Sequence, residues 1–184
     1  YAVRYLGWTD GQASLVLTLL PVSLILFALP AGIISEKIGR RKAIKIGLFI
    51  IIGVSFTIYF FQQMIVVAIL LAIGGAAWGM VNINSITVIW QLAPEGKVGS
   101  YTGVYYTFSQ LAAILSPVVM GFIVDLIGIL RNAPNDPANY AVLFPYVLIW
   151  MVIALSFMSL VRRGEVVLER ETLQEYQNKF GSDD

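Results

Sequence analysis

The sequence predicts an all-α membrane protein of about five transmembrane helices, and three observations lead there. Hydrophobic residues make up 58% of the 184 positions and charged residues 12%, a balance that belongs in lipid rather than to a water-soluble domain. Five stretches, 15–34, 43–61, 65–92, 101–130 and 141–161, are apolar enough and long enough to cross a hydrocarbon core of ~30 Å, which takes about 20 helical residues. Their apolar blocks, such as the one from Ile46 to Ile52, are continuous, whereas a membrane β-barrel needs segments of about 10 residues that alternate in and out.

The first span carries Pro21 and Pro30 and runs into a charged, glycine-bracketed stretch, GIISEKIGRRK, from Gly32 to Lys42. The second and fifth spans are apolar with scattered Ser, Thr and Tyr, the composition of helices with a large lipid-facing surface. The third holds Trp78, Asn82, Asn84, Ser85, Thr87 and Gln91, and the fourth Tyr105, Tyr106, Thr107, Ser109, Gln110 and Ser116. Polar groups at membrane depth need protein or water partners, so these two helices are expected to face a cavity. The connections are read as 35–42, 62–64, 93–100 and 131–140, with residues 1–163 forming the bundle and 164–184 a polar tail. Pro21, Pro30, Pro117 and Pro145 are candidate kinks, since each lacks a backbone donor.

Alternation of five spans sorts the loops onto two sides. Lys37, Arg40, Arg41, Lys42, Lys45, Lys97, Arg162 and Arg163 fall on one side, and Arg4 and Arg131 on the other. Cytoplasmic loops carry the excess of bases, so the GRRK stretch and the C-terminus are expected in the cytoplasm, in a plasma (inner) membrane. Leu173, Tyr176 and Phe180 recur at helical spacing in the tail, which fits a short amphipathic surface helix; a partly disordered tail fits as well.

Composition also closes off chemistry. The chain has no cysteine and no histidine, which removes the thiolate nucleophile and the commonest metal ligand and proton shuttle. It shows no HExxH, GxSxG or phosphate-cradling GxxxxGK[ST] pattern, so an enzyme is not expected, nor any cofactor or metal. A net charge of +1 gives no reason to expect nucleic acid as a partner. The chain opens on Tyr1 rather than Met, and reads as a piece of a longer protein.

Gly32, Glu36 and Gly39 follow G-x-x-x-acid-x-x-G, and so do Gly121, Asp125 and Gly128. The topology puts the two occurrences on opposite faces, the arrangement an inverted repeat would produce. Chance recurrence in a glycine-rich membrane chain is the alternative.

The stretch from Leu29 to Lys42 resembles the signature loop of the major facilitator superfamily of secondary transporters, G-x-x-x-D-R-x-G-R-R. Gly32, Gly39, Arg40 and Arg41 match, while Glu36 and Lys37 stand in for the acid and the first base. The resemblance implies half of a twelve-helix major-facilitator bundle, similar to its carboxyl half, with the amino-terminal half missing. It implies that Gly32, Glu36, Lys37, Gly39, Arg40 and Arg41 gate an alternating-access cycle. AWGMVNINS and YTGVYYTFSQ more loosely resemble members that carry sucrose and other glycosides with a cation, so a small solute such as a sugar, with a proton or sodium as coupling ion, is the implied cargo.

Within that frame the residues suggest contacts. Trp78, Asn82 and Ser85 share one helical face at i, i+4 and i+7, and an aromatic plane beside amide and hydroxyl groups suits a polyhydroxylated ligand. Tyr106 and Gln110 share a face of the fourth span. The same side chains also serve as glue between membrane helices. Asp125, the acid well inside a span, is read as a gate or hinge in preference to a coupling site. A non-transporting scaffold or receptor on the same fold is the rival reading.

Overall fold

The computed structural model describes residues 1–161; Arg162, Arg163 and the tail with Leu173, Tyr176 and Phe180 lie outside them. Five long helices follow in order: α1 (Asp10–Ile38), α2 (Arg40–Phe60), α3 (Met64–Leu92), α4 (Val98–Leu130) and α5 (Leu143–Leu160), the last entered through a 3-10 turn at Pro137–Val142. Each is long and apolar enough to cross a membrane. No strand occurs among the described residues.

The helix ends differ from those that hydropathy marks. α1 starts at Asp10 rather than Leu15 because Thr9 caps it: its hydroxyl accepts from the Gln12 backbone N–H at 3.3 Å, and its own N–H donates to Gln12 Oε1 at 3.0 Å. This reciprocal box satisfies two otherwise orphaned donors. The larger correction is at 35–42, expected as a connection. Helix continues to Ile38 and resumes at Arg40, so Gly39 alone joins α1 to α2. Glu, Lys and Arg are good helix formers, and charge marks where lipid ends, not where helix ends. The reversal is possible because Gly39 adopts φ 91° and ψ 140°, a conformation closed to residues with a Cβ.

α3 is the centre of the bundle, with α1 packed on one side and α2 on another, while α5 packs chiefly on α2. Small residues make this possible. Gly75 and Gly79 form a GxxxG pair facing α1: a Cβ at Gly75 would run into the Leu20 carbonyl, and one at Gly79 would sit 3.1 Å from the Leu24 carbonyl. In lipid, where burying apolar area gives helices no mutual attraction, such close backbone approach is what holds them together. On the α2 side Ile44, Leu48, Val81 and Val88 form a buried cluster that Met151 and Leu155 of α5 cover. At the opposite end Val16, Ile58, Val67 and Phe144 form a second one.

Both bases of the sparsely charged face are committed to local structure. Arg4 donates to the Tyr140 hydroxyl at 2.9 Å, and Arg131 donates to Asn139 Oδ1 at 2.9 Å while pairing with Asp136 at 3.6 Å. These bonds hold the amino-terminal turn, the end of α4 and the 3-10 turn together on one face, as alternation requires. Pro21, Pro30 and Pro117 do lie inside helices. Pro145 does not act as a kink: it stands third in α5, where the first-turn N–H groups have no intrahelical partner to lose.

α4 is held differently from the rest. Of its 33 residues Val124 and Gly128 are buried, both near its far end, and its middle presents side chains outward along its whole circumference. Its near end is fastened to α3 by Trp90, whose indole N–H donates to the Thr102 hydroxyl at 2.9 Å.

Candidate functional site

The buried face of α3, running through Gly74, Ala77, Val81, Asn84 and Val88, is used up by packing. A different stripe of α3 leads, through Ile89, to its contact with α4. Trp78, Asn82 and Ser85 share that stripe by helical spacing: Trp78 is 38% exposed, and the other two are half-buried. One turn further the same stripe reaches Ile89, which with Tyr101, Val104, Tyr105, Phe108 and Ser109 of α4 lines a hollow of about 530 Å³. The hollow opens because α3 and α4 diverge from the Trp90–Thr102 bond, and its walls are largely aromatic and aliphatic.

The five residues expected to touch a solute are therefore split. The α3 group leads into the hollow without lining it. Tyr106, 51% exposed, and Gln110, also exposed, are turned around α4 from the lining, while their neighbours Tyr105 and Ser109 occupy it. Tyr106 stays in contact with the site through its ring, which meets that of Tyr105 edge-on at 5.3 Å. Asn82 Nδ2 is 3.4 Å from the Trp78 carbonyl one turn back, a long bond that leaves the amide able to take a better acceptor.

The basic turn sits at the end of the bundle where α3 and α4 are joined. Glu36 and Lys37 are exposed on the last turn of α1, Arg40 and Arg41 are half-buried at the start of α2, and Lys42 is exposed. Lys37 complements the negative end of α1, whereas the bases that open α2 stand at a positive helix end, an unfavourable position unless negative charge is near. The α2 start has no side-chain cap.

The two halves of the suspected repeat end their helices on opposite faces, but they do so differently. Gly39 is itself the turn, while Gly128 lies inside α4, pressed by the Asn139 side chain and Pro134, either of which a Cβ would meet at 2.9 Å. Gly32 and Gly121, the leading glycines, have open space around them. Asp125 is exposed on α4 between Gly121 and Gly128.

One polar residue was passed over as a site candidate. Asn84 is fully buried; its Nδ2 donates to the Met80 carbonyl at 2.7 Å, and its Oδ1 has no partner among the described residues. Its spacing from Val81 and Val88 on the α2-facing stripe was a legible sign that it points inward.

Comparison with known proteins agrees with the architecture. The family profile of the Major Facilitator Superfamily matches residues 1–178. Over 99 residues the chain is 26% identical to an uncharacterised transporter of the major facilitator type from Methanocaldococcus jannaschii, a match covering 53% of this chain and 24% of that relative's length. No solved structure gives a significant match. With five membrane-length helices and a family match that covers nearly all of its length, this chain belongs to the Major Facilitator Superfamily.

Proposed function

We propose that the chain is part of a secondary active transporter, pairing with an amino-terminal half to carry a small solute, a sugar or glycoside, by alternating access. A proton or sodium gradient drives the movement. The observation that carries this reading is the α3 stripe: Trp78, Asn82 and Ser85 present a ring, an amide and a hydroxyl at membrane depth and lead into the hollow against α4. Polar groups placed there without being consumed by helix packing are costly unless water or solute meets them. Trp78 covers the apolar C–H face of a sugar ring, Asn82 and Ser85 bond its hydroxyls, and Tyr106 and Gln110 close on it from α4 as that helix moves. Family membership supports the same mechanism.

In this reading Gly32, Glu36, Lys37, Gly39, Arg40 and Arg41 form the gate on the cytoplasmic side of a plasma (inner) membrane. Asp125 is its counterpart at the other face. The single-residue hinge at Gly39 transmits movement of α1 to α2 without a slack loop between them.

The test is solute uptake by the transporter carrying this chain, reconstituted in proteoliposomes, against a panel of sugars and glycosides with imposed proton or sodium gradients. Accumulation that collapses when an ionophore removes the gradient is expected. Absence of gradient-dependent uptake for every sugar and glycoside would overturn the reading and favour a non-transporting scaffold.

A further inference from the structure

α1 and α2 are joined by one residue, yet each packs chiefly on α3 rather than on the other. They form a V whose vertex is Gly39 and whose floor is α3. Between the arms lies a groove of about 490 Å³, separate from the α3–α4 hollow. Phe27, Ile34 and Ile50 stand on its walls, and Ile69, Ala76 and Met80 on its floor. Apart from Ser23, whose hydroxyl sits at the end far from the vertex, every side chain lining it is apolar.

Two properties of this groove say what fits it. The first is its length. It extends from Ser23 to Ile34 on α1 and from Ile69 to Met80 on α3, eleven positions in each case, or ~16 Å at 1.5 Å per residue. That is close to half of a hydrocarbon core of ~30 Å, the depth of one leaflet. The second is the charge at its vertex. Between Glu36 and Lys45 there are five bases and one acid. Lys37 follows Ile34 by one turn on α1, and Lys42 precedes Ile50 by two turns on α2; both lysines are exposed, one on each arm of the V. An apolar slot one leaflet deep, with an exposed lysine beyond its vertex end on each arm, is complementary to an acyl chain carrying a negatively charged head.

We infer that the α1–α2 groove is a binding site for an anionic phospholipid, one acyl chain lying along Phe27, Ile34 and Ala76 and its phosphate held between Lys37 and Lys42. The bound lipid places negative charge near the start of α2, a positive helix end that carries Lys42. It also wedges α1 from α2, so its presence resists any motion that brings the arms together. The site is independent of which solute is carried.

The experiment is lipid retention by the purified protein, read by native mass spectrometry with phosphatidylglycerol and phosphatidylcholine of identical chains. The wild-type protein is expected to prefer phosphatidylglycerol by roughly tenfold or more, the scale set by two surface lysines acting on one anion. Lys37→Gln with Lys42→Gln should abolish the preference, and Ala76→Phe, which fills the floor, should lower retention of both lipids. Equal retention of the two lipids by the wild type overturns the inference, as does unchanged phosphatidylglycerol retention in Ala76→Phe. If displacement by chain-free glycerol phosphate is complete, the turn alone binds and the groove assignment is wrong. Should Ala76→Phe fail to fold, phosphatidylglycerol with a photoreactive chain decides on the wild type: cross-links at Phe27, Ile34 or Met80 support the site, and cross-links confined to the exposed side of α5 overturn it.

Discussion

Trp90 at the end of α3 donates to the hydroxyl of Thr102 at the start of α4, 2.9 Å away, while Thr102 donates in turn to the Val98 carbonyl at 2.8 Å. Because the rest of α4 meets α3 so sparingly, this relay sets the angle at which the two helices diverge and hence the mouth of the hollow between them. Trp90→Phe and Thr102→Val should each lower stability by about 1 kcal/mol, the net value of one hydrogen bond. The double variant should lose little more than either alone. Thermal unfolding in detergent measures both, and fully additive losses would show that the bond does not couple the helices.

The crossing of α1 over α3 rests on Gly75 and Gly79. Gly75→Val should greatly reduce the yield of folded protein, because a side chain there meets the Leu20 backbone and cannot be relieved by a rotamer change. Gly53→Ala, at a helical site with open space, should be neutral or stabilising by up to about 1 kcal/mol. Size-exclusion profiles and thermal midpoints of the two variants provide the comparison.

The four glycines of the repeated pattern should separate into two pairs. Gly39→Ala forces a Cβ into φ 91° and should cost about 1–3 kcal/mol. Gly128→Ala collides with Asn139 and Pro134 and should loosen the 131–139 loop. Gly32→Ala and Gly121→Ala, both in open space, should leave the thermal midpoint unchanged or raised. If either of the latter two nevertheless impairs transport, its role belongs to the moving cycle and not to the resting fold.

Asn84 buries an oxygen acceptor without a partner among the described residues, which typically costs about 1–3 kcal/mol. Asn84→Leu, similar in size, removes that cost and should raise the thermal midpoint. The Met80 carbonyl keeps its helical backbone bond, so it loses nothing essential. A clear fall in stability would mean that Asn84 Oδ1 bonds a buried water or a neighbouring helix.

Much of the bundle was legible because bilayer thickness dictates helix length and apolar composition reports it directly. Five helices long and apolar enough to cross a membrane occur, as hydropathy leads one to expect. Helix ends were less legible: Thr9 and Gln12 spell a capping box that hydropathy ignores, and the charged residues from Glu36 to Lys42 look like a loop while being good helix formers. The polar stripe of Trp78, Asn82 and Ser85 was readable from the helical period alone. Its extension to Ile89, and the exchange of Tyr106 and Gln110 for Tyr105 and Ser109 in the lining, depend on the angle between α3 and α4. That geometry includes the Trp90–Thr102 bond at the near end of the two helices, a tertiary contact that no helical period reports.

Because the chain contains no cysteine, it offers a clean background for the most direct test of the central claim, that the α3–α4 polar face lines a solute pathway. Single substitutions Asn82→Cys, Tyr106→Cys and Gln110→Cys are to be treated with a membrane-impermeant thiol reagent in the intact, reconstituted transporter, its partner half also made cysteine-free, beside Phe157→Cys on the exposed surface of α5. The account predicts labelling at positions 82, 106 and 110, slowed by the transported solute, and none at 157. Labelling of the three no faster than that of Phe157→Cys, or indifferent to every solute that is taken up, would contradict it.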